Sequence, residues 1–111
     1  MFAQISALRA VIAYVRAGNF VDTGDFRRAK QQMDLSLDLL GSRIDRPSTY
    51  EFFLRAVRIE LNLGRAVQAL AYLDEAIARI TRSKKLLDAD RKYLLDFCNV
   101  SKSEIEGTEI G

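Results

Sequence analysis

Histidine is absent from this chain of 111 residues, cysteine and proline occur once each, and only six glycines punctuate it. The missing imidazole removes the commonest general base and the commonest metal ligand. A lone Cys98 excludes an internal disulfide and a thiolate metal cage, and no imidazole stands ready to activate it as a nucleophile. Its single thiol fits a reducing compartment. No stretch approaches the roughly 20 apolar residues of a membrane span. The apolar opening, Met1 to Ala17, is interrupted by Arg9 and Arg16, and no basic segment precedes it, so it reads poorly as a signal peptide. Net charge is +2, too near balance to argue for nucleic acid or a membrane surface. A cytoplasmic protein without a cofactor or metal is the expectation.

Hydrophobic residues make up 49% of the chain and charged residues 29%, the balance of a folded domain and not of a disordered one. Breakers are sparse, alternating strand patterns are absent, and the segments between glycines are rich in Ala, Leu, Arg, Gln and Glu. An all-α fold follows. The first helix is expected from about Ala3 to Phe20, with Ile5, Leu8, Ile12 and Val15 recurring at helical steps. The second runs from about Asp25 to Leu40, with Phe26, Ala29, Met33, Leu37 and Leu40 in one stripe, Leu35 and Leu39 beside it, and Gly41 as its stop. Asp22 or Asp25 serves as its cap.

A basic loop, Ser42 to Pro47, leads to a third helix from about Ser48 to Leu63, where Ser48 and Glu51 have capping-box spacing and Phe53, Val57 and Leu61 face inward. After Gly64 a fourth helix, about Arg65 to Ser83, carries Ala66, Ala69, Leu70, Leu73, Ala76, Ile77 and Ile80 on a regular stripe. A fifth, about Ala89 to Val100, follows Asp88 and buries Leu94, Phe97 and Cys98. One helical domain over residues 1–100 and a frayed acidic tail over 101–111, with Glu104, Glu106 and Glu109, complete the expected organisation.

Two segments repeat one pattern. Gly24-Asp25-Phe26-Arg27-Arg28-Ala29, then Met33 and Ser36-Leu37, matches Gly64-Arg65-Ala66-Val67-Gln68-Ala69, then Leu73 and Ala76-Ile77, at a separation of 40 residues. This spacing resembles the second half of a tetratricopeptide repeat, most closely over Leu63 to Ile77. The resemblance implies a glycine at the tight inter-helix turn, alanines where helices approach closely, and antiparallel helix pairs stacked as a short array of about two repeats with a C-terminal capping helix. The chain departs from the family's 34-residue period. It carries Val57 where a small residue is favoured, and no proline closes either repeat. A second resemblance joins the run Gly24 to Leu40 with small helical export chaperones of flagellar and type III secretion systems, though nothing matches their N-terminal arm.

The remaining chemistry is thin. Asp74 and Glu75 are adjacent on a helix and point apart, and Asp88 and Asp90 suit a helix cap, so no catalytic acid pair is expected. The cluster Arg79, Arg82, Lys84, Lys85, Arg91 and Lys92 has only Tyr93 for stacking and two aspartates within it. It reads as a solvated helix end, and nucleic-acid binding is not expected. The tetratricopeptide resemblance implies a concave face lined by the first helix of each pair, at Tyr14, Gly18 and Val21, then at Glu51, Leu54, Arg58, Leu61 and Asn62. Tyr14, Leu54 and Arg58 offer apolar area with one charged anchor for a peptide or amphipathic helix of a partner protein. The competing expectation is that Leu54 and Leu61 bury against the first or fifth helix. Apolar end faces, with Phe2 and Ile5 on helix one, leave a homodimer open. The functional expectation is a non-catalytic adaptor; the alternative is an export chaperone.

Overall fold

The computed structural model describes residues 2–41 and 47–110. Five helices follow one another: α1 (Phe2–Asp22), α2 (Phe26–Leu40), α3 (Pro47–Asn62), α4 (Ala66–Arg82) and α5 (Asp88–Ile110), with no strand among the described residues. Each helix packs chiefly on its chain neighbours, α1 on α2, α2 on α3, α3 on α4 and α4 on α5. Stacking of this kind gives a slab of 49 × 36 × 18 Å, about two helix diameters thick. The fold is all-α, a short repeat-like array of antiparallel helix pairs closed by α5.

The forty-residue repeat is visible in the backbone. At the first turn the Gly24 amide donates to the Val21 carbonyl at 3.0 Å and the Asp25 amide to the Phe20 carbonyl at 2.8 Å. At the second, Gly64 donates to Leu61 at 3.1 Å and Arg65 to Glu60 at 2.8 Å. Both are Schellman stops, which place their glycine in the left-handed region; φ is 78° at Gly24 and 74° at Gly64. Asp25 then caps α2 by accepting from the Arg28 amide, whereas Arg65, at the equivalent place, gives α4 no side-chain cap.

Burial repeats with the same period. Ala29, Met33, Ser36 and Leu40 of α2 are buried, and so are Ala69, Leu73, Ala76 and Ile80 of α4. Small residues at these contacts let each helix approach its partner. The Ser36 hydroxyl satisfies itself on the Ala10 carbonyl of α1 at 2.6 Å. In the first helices of the pairs the sizes differ. Ala10, Ala13 and Ala17 are the buried residues of α1, and Tyr50, Phe53 and Val57 are their counterparts in α3.

The apolar stripe of α1 faces solvent, so the apolar end face expected at Ile5 runs along the helix: Ile5 is 50% exposed, Leu8 61%, Ile12 43% and Val15 51%. The alanines take the inward arc because they bring α1 close to α2, and the larger aliphatics fall on the opposite arc. Two expectations change here. Leu61 and Phe97, expected inward, are exposed. The segment expected as a tail is the second half of α5, where Ile105 is buried and Lys102 pairs with Asp74 at 2.8 Å. The basic loop at 42–46 and the side chains of Phe2 and Ser48 lie outside the described residues.

Candidate functional site

The residues that the resemblance placed on a concave face border cavities between α1, α3 and α5. A cavity of about 570 Å³ is lined by Tyr14, Glu51, Leu54, Arg55, Arg58, Asp90, Tyr93 and Phe97 among others. A second, of about 250 Å³, is lined by Leu54, Val57, Arg58, Leu61, Asn62, Phe97, Glu104 and Ile105 among others. Leu54, Arg58 and Phe97 belong to both, so the two form one groove along α3. Tyr14, Glu51, Leu54, Arg58, Leu61 and Asn62 lie on its walls, whereas Gly18 and Val21, which the resemblance also placed on this face, line neither cavity.

The α1 wall is rigid. The Tyr14 ring stacks on Phe52 with centroids 4.1 Å apart and planes 10° from parallel. On its other side the Arg55 guanidinium sits 3.8 Å from the ring centroid and donates to the Tyr14 carbonyl at 2.8 Å. Gly18 makes room for that guanidinium, since a Cβ there would come within 2.7 Å of Arg55 Nη1. An aromatic ring held between a second ring and a cation keeps its shape while a ligand binds.

The floor and far wall differ. Arg58 stands where the two cavities meet, and its guanidinium has no ion pair or hydrogen bond among the described residues; only its carbonyl is used, by Asn62 Nδ2 at 2.9 Å. Glu51 and Asp90 likewise have no side-chain partner among the described residues and line the cavity that Tyr14 also lines. From α5, Tyr93 is 69% exposed and Phe97 46% exposed. Sequence reasoning missed this wall. Tyr93, Phe97 and Glu104 lie on one flank of α5, beside the buried line Leu94, Cys98 and Ile105, and that offset was the available signal.

Other charged groups are engaged structurally. Arg79 donates to Glu75 and to the Gly41 carbonyl, both at 2.7 Å, and lies 5.4 Å over the Phe53 ring. Arg91 closes the end of α4 by donating to the carbonyls of Ile80 and Ser83. Lys92 pairs with Asp96 at 2.6 Å. Arg79, Arg91 and Lys92 of the basic cluster are thus engaged at the helix junction, while Arg82 and Lys84 are exposed. Asp74 and Glu75 pair with different cations, Lys102 and Arg79, and do not converge.

Beside a separate cavity of about 510 Å³ between α2, α3 and α4, Glu60, 1% exposed, accepts from Lys30 Nζ at 2.7 Å and Arg65 Nε at 2.6 Å, tying these helices together. Burial opposes the charge on Lys30, but Glu60 and Asp34 outweigh it and hold the ammonium above its ordinary range. Burial pushes the Cys98 thiol up, away from the reactive thiolate. No helix of the described residues is long and apolar enough to cross a membrane.

Compared with protein-family models, curated proteins and solved structures, the chain matches none.

Proposed function

We propose that this chain is a protein–protein interaction module, an adaptor of tetratricopeptide-like architecture. It holds a peptide or amphipathic helix of a partner in the groove between α1, α3 and α5 and catalyses no reaction. The observation that carries this reading is Arg58: a guanidinium without a partner among the described residues, at the middle of a groove walled by Tyr14, Leu54, Leu61 and Phe97. Aromatic and aliphatic walls around an arginine anchor are the composition of interface hot spots. The single buried thiol, Cys98, suits a cytoplasmic setting.

The reading is tested by affinity capture from native extract with tagged wild type and the Arg58→Glu variant, and with Val67→Glu, on exposed α4 surface outside the groove, as control. The expected result is a stoichiometric partner held by wild type and Val67→Glu and lost with Arg58→Glu, all three proteins melting alike. The same partner retained by Arg58→Glu overturns the groove assignment.

A further inference from the structure

We propose that the outward seam of α1 is a self-association face, on which a second copy of this chain packs its own α1 in antiparallel orientation. Ile5, Leu8, Ile12 and Val15 form the seam, with Val11, 46% exposed, on one flank. It runs opposite the buried Ala10, Ala13 and Ala17, so nothing else in the described chain covers it. Its successive intervals are three, four and three residues, the a and d spacing that keeps an apolar line straight along a helix.

That spacing is palindromic about residue 10. Turning a second α1 about a two-fold axis at that level sets Ile5 opposite Val15 of the second copy and Leu8 opposite its Ile12, while Val11 falls beside its own counterpart. A patch that is its own complement is what an isologous interface requires. Arg9 and Arg16 are the only charged residues of α1 before Asp22 and lie on the other flank, at the rim of such a pair. Like charges there are exposed and screened by salt, so they limit the pairing without preventing it.

Five aliphatic side chains, each 43–61% exposed, make up the seam and its flank, and the largest apolar patch of an ordinary monomer is about 300–600 Å². Covering two patches of that size removes about 600–1,200 Å², the size of weak, reversible interfaces. Tyr14 and the groove lie on a different arc of α1, so the dimer leaves both grooves open. The inference stands whether or not the groove binds a partner.

Sedimentation equilibrium over the micromolar to millimolar range tests it. The expected result is a monomer–dimer equilibrium that tightens with added salt, as the rim arginines are screened. Leu8→Glu and Ile12→Glu should each weaken it by about tenfold or more. Both sites are solvent-exposed, so the variants keep the wild-type circular dichroism. Register is read by cysteine cross-linking, with Cys98 buried and out of reach. Chains carrying Ile5→Cys should cross-link to chains carrying Val15→Cys in a mixture, and neither to itself. Identical positions are offset by ten residues, about 15 Å along the axis. A monomer throughout the range, dimerisation untouched by Leu8→Glu and Ile12→Glu, or cross-links within each chain type alone would each overturn the proposal.

Discussion

Removing the buried carboxylate of Glu60 tests whether one charged cluster holds three helices. Its two oxygens each accept a charge-assisted hydrogen bond, from Lys30 and Arg65. Such bonds contribute roughly 1.5–3 kcal/mol each, and breaking a buried pair costs about 3–5 kcal/mol when the survivor stays dry. Here the survivors do not stay dry: the Lys30 and Arg65 side chains are 29% and 45% exposed. Water takes over part of the lost interaction, which brings the expected cost of Glu60→Ala to about 2–4 kcal/mol. At about 4–8 °C per kcal/mol for a domain near this size, Tm should fall on the order of 10–25 °C. A thermal-melt double-mutant cycle with Lys30→Met and Glu60→Gln should then return a coupling of about 1–2 kcal/mol. The exposed Lys92–Asp96 pair, treated the same way, should show none beyond error. A Glu60→Ala protein melting within a few degrees of wild type, or equal coupling in the two cycles, would refute the assignment of Glu60 as a structural tie.

Two further outcomes concern stability and need no partner. Burial raises the Cys98 thiol above its ordinary 9.0; burial and Asp34 raise the Tyr72 phenol above 10.0; Lys30, against the pull of burial, is raised above 10.5 by Glu60 and Asp34. In each case the folded chain holds its proton to higher pH than the unfolded chain, so this stability is complete below about pH 9 and drains away as pH rises through the three folded values. Melting measured from neutral to strongly alkaline pH should show a plateau and then a decline; a Tm that holds level past pH 11 would contradict it. Ending the chain after Val100 removes Ile105 from the core and the Lys102 contact to Asp74. Loss of the Ile105 burial alone should cost about 1.5–3 kcal/mol by chemical denaturation, whereas an unpacked tail would leave the midpoint unchanged.

What was legible in the sequence and what was not divides along physical lines. Gly24 and Gly64 could be read because a Schellman stop needs a left-handed residue, and the small–large–small order after each glycine reports a close helix contact. Tyr14, Glu51, Leu54, Arg58, Leu61 and Asn62 came out on one groove because their register follows from those turns. Of the opposite wall, Glu104 was hidden because the fifth helix was ended too soon, since Glu104, Glu106 and Gly107 look like a tail in composition; Phe97 lay within the expected helix but was assigned to its buried side, where it is 46% exposed. Yet Ile105 extends the periodic line of Leu94 and Cys98 by two more turns. Periodicity was the better guide there. In α1 it gave the right helix but failed to say which arc is buried, since aliphatic spacing marks an apolar arc without saying which neighbour it meets.

The contrast between α1 and α3 explains that failure and carries a consequence. Their buried positions correspond forty residues apart, but α3 fills them with Tyr50, Phe53 and Val57 where α1 has three alanines. Alanines at the contact draw α1 close to α2 and leave no volume on that side for larger groups. A helix whose role ended with covering α2 could carry Lys or Glu at positions 5, 8, 12 and 15 without loss to the monomer, because those positions touch solvent. Aliphatic residues there, each about half exposed, add little to the fold of a single chain and lower its solubility. On the proposed pairing the alanine arc answers to folding and the aliphatic arc to association, and the two demands act on opposite sides of one helix. Replacing Ile5, Leu8, Ile12 and Val15 together by Glu and Lys should separate them: the variant should melt like the wild-type monomer and stay monomeric at any concentration, whereas a lower Tm in dilute solution would show that the seam serves the fold after all.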